Sequence, residues 1–331
     1  MTTGRRIFVL LAGCTGLSMV PGITAAGASP DLTFLTPVVD SEIISSGQVM
    51  SMNDPPMTPD GIPTPAIITS ASLSIAGVPA LIVNAGLRER PMVPYIETGL
   101  EPAIDPRAGI ALPMIQKALS YGRTLGNFLG SIADDVFLAE SIPGGTTTAY
   151  LVLRAMGYSL STSSSMQAGP DNMKDEIWDS LGQDRNFQKN PMGAVESFGD
   201  YMMALALGIS RGMNRGFLHY CGGTQMATVY RLDRLINNPN GPREVITTGW
   251  VMDHRPETMK KLAGSAIRRV DITFRDSQFL GLRKYDEGHV REGAGMGAAY
   301  YLASEAAKRE QIMDSIGGLY AQLGKPPIRN S

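Results

Sequence analysis

The chain has 331 residues, 43% of them hydrophobic, and its 29 basic residues nearly balance its 31 acidic ones. This composition suits one large domain, or one large and one small, and excludes a disordered chain or a global field that attracts nucleic acid or an anionic membrane. Two cysteines and three histidines exclude a disulfide framework and show no convincing zinc-ligand spacing. No apolar run approaches the ~18 residues of a membrane-spanning helix.

The chain opens with two arginines and a short apolar run, "GRRIFVLLAGC" over residues 4–14. A basic start, an apolar core and a Leu-Ala-Gly-Cys ending are also typical of a bacterial lipoprotein signal. The run is short for such a signal, and apolar pieces punctuated by glycine and proline follow it in place of a polar tether. We therefore expect a buried strand that ends in a loop, with an exported lipoprotein as the alternative.

Short apolar runs alternate with longer helical patterns along the rest of the chain. The expected strands are Phe8–Leu11, Ala80–Val83, Val136–Leu138, Phe217–His219, Val245–Trp250 and Val270–Phe274. The expected helices are 66–77, Pro113–Leu129, Thr147–Met156, Asp200–Ile209, Thr224–Ile236 and Met296–Leu323, the last broken at Gly317-Gly318. This alternation predicts an α/β fold with a largely parallel sheet. Met50–Pro65 and Ser159–Asn172 are predicted loops, the second one mobile or covering a ligand.

Four apolar runs lead into glycines and hydroxyl residues that open a helix. They are "LAGCTGLS" at 11–18, "ESIPGGTTTA" at 140–149, "CGGTQMA" at 221–227 and "REGAGMGAA" at 291–299. At the carboxyl ends of parallel strands, such turns let the backbone approach a phosphate at a helix N-terminus. Together they predict one phosphorylated ligand, although tight packing explains any single turn equally well. Neither a P-loop nor a dinucleotide-binding glycine motif is present.

Two glutamates lie beside these turns. Glu140 ends the run "VFLAE", and Glu292 immediately precedes "GAGMG". Both are expected to face one crevice, where burial raises the pKa of a glutamate and suits it to act as a general base. A solvated or helix-capping glutamate is the alternative for each. The histidines, His219, His254 and His289, and the two cysteines are more simply packing, loop or surface residues than catalysts.

The motifs "ESIPGGTTTA", "GGTQMA" and "REGAGMGAA", in this order, resemble the nicotinate-nucleotide–dimethylbenzimidazole phosphoribosyltransferase superfamily of cobalamin biosynthesis. The phrases "PGITAAGASPDLT", "PDGIPTPAIIT" and "FLGLRKYDEGHVREGAG" extend the resemblance over nearly the whole chain, closest to a branch distinct from the characterised transferases. The resemblance implies a three-layer α/β/α domain over residues 1–331, with a mostly parallel, Rossmann-like sheet. It also implies a small helical part from terminal segments including 300–325. A cytoplasmic homodimer is expected, with the N-terminal stretch inside the folded domain.

The implied reaction transfers ribose phosphate between two aromatic bases. A benzimidazole-type base displaces nicotinate from nicotinate mononucleotide, which gives an α-riboside 5′-phosphate and free nicotinate, with no metal and no cofactor expected. Glu292 matches the family's catalytic glutamate, which takes the ring N–H proton, and Glu140 matches its second functional glutamate. The candidate phosphate- and nucleotide-binding residues are Gly144, Gly145, Thr146, Thr147, Lys174, Gly222 and Gly293.

The chain departs from the characterised transferases at two places. Leu87 and Arg88 stand where those enzymes have an Asp-His pair, and Cys221 stands where they have an aspartate before a glycine. An altered base or nucleotide pocket is expected, so the acceptor need not be dimethylbenzimidazole and the donor could differ. A catalytically lapsed nucleotide-binding sensor is the alternative to an enzyme, and the retention of both glutamates favours the enzyme.

Overall fold

A computed structural model of the chain describes residues 4–24, 30–53, 56–58, 61–163, 170–181 and 186–324. Within these ranges six strands form one sheet: β1 Arg6–Ala12, β2 Ala80–Asn84, β3 Asp135–Ser141, β4 Phe217–Cys221, β5 Arg243–Thr248 and β6 Ile267–Val270. Every pairing is parallel, in the order β2-β1-β3-β4-β5-β6. The predicted α/β fold with a parallel sheet is confirmed, and residues 6–12 form a strand inside that sheet.

Thirteen α-helices in the described ranges connect and cover the strands. They are α1 Pro30–Ser46, α2 Pro65–Ala76, α3 Ile115–Ile132, α4 Gly145–Ala155, α5 Asp171–Ser180, α6 Pro191–Phe198, α7 Tyr201–Gly212, α8 Thr224–Ile236, α9 Gly249–His254, α10 Pro256–Ala263, α11 Leu280–Asp286, α12 Met296–Ala306 and α13 Arg309–Leu323. None of these helices is both long and apolar enough to cross a bilayer.

The helices divide into two layers, one on each face of the sheet. Alternate residues of β1 show the division, because Val9 and Leu11 join one buried cluster while Phe8 and Leu10 join the other. The first cluster includes α3, α4, α7 and α8, and the second includes α1, α2, α12 and α13. Strands buried on both faces are apolar throughout, which explains why short continuous apolar runs identified them.

The strand order reverses between β1 and β3. The chain passes from β1 outward to β2, and then returns to place β3 on the other side of β1. In doubly wound parallel sheets, ligands bind beyond the carboxyl ends of the strands at such a switch point. The ends of β1 and β3, at Ala12 and Ser141, therefore mark the expected crevice.

Two of the predicted strands have wrong boundaries. The last strand ends at Val270, where the predicted strand Val270–Phe274 began, because the apolar residues after it belong to a loop packed into the core. The predicted strand Val245–Trp250 runs too far, since Trp250 lies in α9. The predicted loops Met50–Pro65 and Ser159–Asn172 lie partly outside the described residues.

The long C-terminal helix breaks at a different place from the predicted one. The break is at Ala307 and Lys308, both of which have extended backbone, and the backbone N–H of Lys308 donates to Gln311 Oε1 at 3.1 Å. The predicted break, Gly317-Gly318, lies inside α13. The small helical part that includes residues 300–325 stays a prediction, as does the assignment of residues 1–331 to a single domain.

Candidate functional site

Three glycine turns meet at the carboxyl edge of the sheet. Gly144, with φ of 81°, precedes α4, and Gly295, with φ of 68°, precedes α12. Between them lies Gly222-Gly223, before α8. A Cβ atom on Gly222 would lie 3.8 Å from an oxygen of Glu140, and one on Gly223 would lie 3.7 Å from Glu292 Cβ. The two candidate catalytic glutamates therefore flank one glycine turn.

Glu140 lies near the end of β3, close to the switch point. Its Oε2 accepts a hydrogen bond from the backbone N–H of Ile142 at 3.0 Å. Its carbonyl oxygen accepts one from the N–H of Ala294 at 3.1 Å, which ties the 291–295 turn to β3. Burial, together with the negative charges of Asp200 and Glu292, raises the pKa of Glu140 to about 8. Glu140 is therefore mainly protonated at neutral pH.

Glu292 is held by three backbone N–H groups. Its Oε1 accepts from Gly293 at 3.2 Å and from Gly297 at 3.3 Å, and its Oε2 accepts from Thr248 at 3.1 Å. Burial raises the pKa of Glu292 to about 7, although these hydrogen bonds favour the ionised form. The carboxylate caps the start of α12, as the alternative interpretation expected. It also ionises near neutral pH, which a general base requires.

Two fully buried carboxylates lie near this half-buried pair, and the sequence alone does not identify them. Asp40, on α1, accepts hydrogen bonds from Thr64 Oγ1 at 2.5 Å and from Ser141 Oγ at 2.6 Å. Asp200 caps α7 and accepts one from Thr148 Oγ1 at 2.5 Å. Burial raises the pKa of each carboxyl group to about 6. The crevice is therefore unusually rich in protonatable oxygen atoms.

The predicted phosphate turn opens α4, where several of the first backbone N–H groups donate to carbonyl oxygens of the turn itself. Gly145 packs tightly, because a Cβ atom there would lie 2.2 Å from the Gln225 amide. Thr146 is half-buried, and its carbonyl oxygen accepts from Thr162 Oγ1 at 2.7 Å. Thr147 is fully buried, and within the described residues its hydroxyl has no hydrogen-bond partner. The turn thus has one unused buried hydroxyl group, at Thr147, beside backbone N–H groups that are mostly bonded within the turn.

Lys174 connects this turn to α8. Its side chain is fully buried, and Nζ donates to Thr162 Oγ1 at 2.8 Å and to the Ser163 carbonyl at 3.3 Å. The backbone N–H of Ser163 donates in turn to Thr224 Oγ1, on the first residue of α8, at 2.9 Å. Burial lowers the pKa of Lys174 to about 8. The predicted phosphate lysine thus lies beside the starts of two helices.

The remaining histidines and cysteines have simpler roles. His219 lies within the sheet, between carboxylates of Asp135 and Glu244. His289 lies 3.6 Å from an oxygen of Glu287. Burial raises the pKa of the Cys14 thiol to about 11 and that of Cys221 well above its usual value. Such thiols are poor nucleophiles at neutral pH.

The two residues that replace the Asp-His pair of the transferases occupy different environments. Leu87 is fully buried in the core, while the Arg88 guanidinium lies 4.7 Å from the centre of the Phe34 ring. Within the described ranges, no group of three or more histidine, cysteine or carboxylate side chains is arranged to hold a metal ion.

Solved structures define the class of fold. The chain matches a nicotinate-nucleotide–dimethylbenzimidazole phosphoribosyltransferase from Thermus thermophilus with a TM-score of 0.58 and 13% identity, over 96% of this chain and 83% of that one. A structure described as CobT from the same organism gives a TM-score of 0.59 and 13% identity, over 97% and 84% of the two chains. At this identity the match shows the fold alone, and it confirms the fold that the sequence motifs predicted.

Sequence relatives define the family. A UPF0284 protein of Thermoplasma volcanium is 48% identical over 319 residues, which cover 96% of this chain and 94% of the relative. One from Thermococcus kodakarensis is 36% identical over 329 residues, covering 96% and 98%. The chain belongs to the UPF0284 family. No family model matches the chain.

Proposed function

We propose that the chain is a phosphoribosyltransferase of cobalamin lower-ligand synthesis. It transfers the ribose phosphate of nicotinate mononucleotide to a benzimidazole-type or related base, in the cytoplasm and as a homodimer. The observation that carries this proposal is the pair Glu140 and Glu292, half-buried on either side of one glycine turn at the carboxyl edge of the sheet. The fold shared with phosphoribosyltransferases and the sequence motifs support the same reaction.

The chemistry requires a proton acceptor and a positioned sugar. A bond forms between a ring nitrogen of the acceptor base and C1′ of the ribose, while the bond from C1′ to the nicotinate nitrogen breaks. The leaving pyridinium keeps that electron pair and becomes neutral, so it needs no acid. The incoming base loses its ring N–H proton to Glu292, a step worth about 10²- to 10⁴-fold in rate. Positioning supplies much of the remainder.

The two glutamates have different protonation states under this proposal. Glu292, with a pKa of about 7, is the group that ionises first and accepts the proton. Glu140, with a pKa of about 8, keeps its proton and donates a hydrogen bond to a substrate oxygen or nitrogen atom. Backbone N–H groups at the start of α4 and the Lys174 ammonium bind the phosphate.

Nicotinate release from its mononucleotide tests the proposal, with benzimidazoles, purines and phenols offered as acceptors. Glu292→Gln keeps the size of the side chain but removes the proton acceptor. We therefore expect kcat to fall by a factor of about 10² or more, while the Kd for the donor stays unchanged. Glu140→Gln is expected to impair substrate positioning. Glu310→Gln, on exposed α13 surface, is the matched control and leaves turnover unchanged.

Intact turnover in Glu292→Gln would contradict the assignment of the base. Tight binding of nicotinate mononucleotide by the wild type without turnover of any acceptor would instead support a nucleotide sensor. The replacements at Leu87, Arg88 and Cys221 are the reason to include acceptors other than benzimidazoles.

The pH dependence of kcat gives a second test. Turnover is expected to rise with pH as Glu292 loses its proton near its pKa of about 7, and to fall again as Glu140 loses its own near about 8. The result is a bell-shaped profile with its maximum between the two values. Glu292→Gln removes the rising limb. A wild-type profile that still rises above pH ~9 contradicts the requirement for a protonated Glu140.

A further inference from the structure

One buried carboxylate lies where three helices begin. Asp200, fully buried, is the N-cap of α7, and its Oδ1 accepts a hydrogen bond from the backbone N–H of Met203 at 3.1 Å. Its Oδ2 accepts one from Thr148 Oγ1, in the first turn of α4, at 2.5 Å. The same oxygen accepts another from Gln225 Nε2, in the first turn of α8, at 3.1 Å. Helix starts carry partial positive charge, so the three together favour an ionised carboxylate at this point.

Asp200 is connected to Glu140 through the glycine turns of the candidate site. The Gln225 amide that donates to Asp200 also packs on Gly145, where a Cβ atom would lie 2.2 Å from it. Gly222, three residues before Gln225, lies beside Glu140, because a Cβ atom there would be 3.8 Å from Glu140 Oε1. The two carboxyl groups therefore belong to one packed unit.

Hydrogen-bond donors decide which of the two carboxyl groups ionises first, because hydrogen bonds to a carboxylate favour its charged form. Three donors contact Asp200, whereas among the described residues the Glu140 carboxyl group accepts one hydrogen bond, from the backbone N–H of Ile142. After burial, the charge of Asp200 is the largest cause of the raised pKa of Glu140, ahead of Glu292 before α12 and Asp40 on α1. Burial raises the pKa of Asp200 only to about 6, so Asp200 is ionised near neutral pH while Glu140 keeps its proton.

We infer that Asp200 is a positioning residue for the proposed reaction, because its buried charge makes Glu140 a hydrogen-bond donor and leaves Glu292 as the proton acceptor. A carboxyl group kept neutral beside a fixed anion can donate to a substrate oxygen or nitrogen atom, which an ionised carboxylate cannot do. Asp200 is fully buried and bonded at both oxygen atoms, so it acts through Glu140 and not on the substrate. This inference rests on the proposed function.

Asp200→Asn removes the charge and keeps the helix cap, because asparagine is an equally good N-cap residue. Thr148 can accommodate the change, since its hydroxyl group also lies 2.8 Å from the Gly145 carbonyl oxygen and can donate there. We expect the falling limb of the pH profile of kcat to shift to lower pH by about one unit, with the Kd for nicotinate mononucleotide unchanged. A falling limb that stays in place contradicts the inference.

Two further variants separate this effect from a general loss of structure. Asp200→Ser also removes the charge and keeps a capping oxygen atom, so it is expected to shift the limb in the same way if Asp200→Asn does not fold. Asp233→Asn is the matched control, because Asp233 is an equally buried aspartate in the last turn of α8, where it accepts a hydrogen bond from Ser210 Oγ at 2.8 Å. Asp233→Asn is expected to lower stability and to leave the falling limb in place. An equal shift in this control would overturn the assignment of Asp200.

Urea unfolding measures the same interaction without turnover. At pH ~8.5, the factor by which Glu140→Gln lowers the unfolding constant is expected to be about tenfold smaller in Asp200→Asn than in the wild type, because one pKa unit corresponds to a tenfold change. At pH ~5 both carboxyl groups are mainly protonated, so this coupling is expected to vanish. Equal coupling at both pH values would show that packing, and not charge, connects the two residues, and the inference would be wrong.

Failure of this inference and failure of the proposed function give different results. A pH-dependent coupling in a protein that releases no nicotinate with any acceptor sustains the action of Asp200 on Glu140 and removes the transferase. Nicotinate release with a falling limb that Asp200→Asn does not move, and no coupling in urea unfolding, sustains the transferase and removes the role of Asp200.

Discussion

At the scale of single residues, the carboxyl edge of the sheet keeps protonated groups where ionised ones would be costly. Glu140 has a pKa raised from 4.5 to about 8, chiefly by burial. A carboxyl group whose pKa is higher in the folded state stabilises the fold fully below its unfolded pKa, and this contribution is lost as pH rises through the folded value. Ionisation of Glu140 is therefore expected to lower the free energy of unfolding as pH rises from about 4.5 to about 8.

Glu140→Gln tests this loss of stability, because glutamine has the shape of the protonated acid and cannot ionise. We expect the variant to be more stable than the wild type at about pH 8.5, by on the order of 1–3 kcal/mol, with little difference at about pH 5. Urea unfolding at both pH values measures the effect. Glu310→Gln, an exposed control, is expected to change stability at neither pH. Equal stability of Glu140→Gln and wild type at the higher pH would show that folding does not raise the pKa of Glu140.

At the scale of helices, glycine allows α3 and α7 to pack with their backbones in contact. A Cβ atom on Gly122 would lie 2.4 Å from the carbonyl oxygen of Leu205, and one on Gly126 would lie 2.1 Å from that of Ile209. Both carbonyl groups belong to α7. No side chain at either position can be accommodated unless the helices separate.

Gly126→Ala is accordingly expected to destabilise the protein by about 1–3 kcal/mol, although alanine is the better helix former. Gly318→Ala is the matched comparison, because Gly318 lies exposed inside α13 with open space around its Cβ position. There the substitution is expected to stabilise the fold by up to ~1 kcal/mol. Thermal and urea unfolding compare the two. Stabilisation by both substitutions would mean that α3 and α7 are not in backbone contact.

The strand and helix positions show what the sequence could reveal. Buried strands are continuous apolar runs, so five of the six were found at nearly the right place. The sixth, β6, was misplaced because Arg268 and Arg269 at its centre are exposed, while the apolar residues that follow it lie in a loop. Helix α1 was missed because Pro37 lies inside it and its apolar residues show little helical periodicity.

The sequence likewise predicted part of the candidate site. Glu140 and Glu292 could be identified because each adjoins a glycine turn in the sequence itself. Asp40 and Asp200 could not, because their surroundings depend on partners far along the chain. Asp40 meets Ser141, 101 positions away, and Asp200 meets Thr148, 52 positions away. Local patterns carry no signal for such contacts.

At the scale of the whole molecule, the two edges of the sheet respond to pH in opposite directions. Toward the amino edge, His219 stacks between two phenylalanine rings at 4.3 and 4.1 Å. Its Nδ1 lies 2.8 Å from Glu244 Oε1, and its Nε2 lies 3.0 Å from Asp135 Oδ1, so it joins β3 and β5 across β4. The hydrogen bond to His219 lowers the pKa of Asp135. Burial acts to raise the pKa of Glu244, but hydrogen bonds from His219 and Arg268 outweigh burial, so the pKa of Glu244 is also lowered.

Carboxylates with lowered pKa values stabilise the fold above their unfolded pKa and lose that contribution as pH falls. His219→Phe keeps a stacked ring and removes both hydrogen bonds, so we expect a loss of about 1–3 kcal/mol at pH ~7 that narrows toward pH ~4. The effects of His219→Phe and Glu140→Gln on stability are expected to add in the double variant. His219 is paired in register with Phe137, and Glu140 lies three residues further along β3, a separation of about 10 Å. Urea unfolding of the single and double variants across this pH range measures the change in the free energy of unfolding that each substitution causes. A pH-independent loss in His219→Phe would show that the lowered pKa values of the two carboxylates do not account for it.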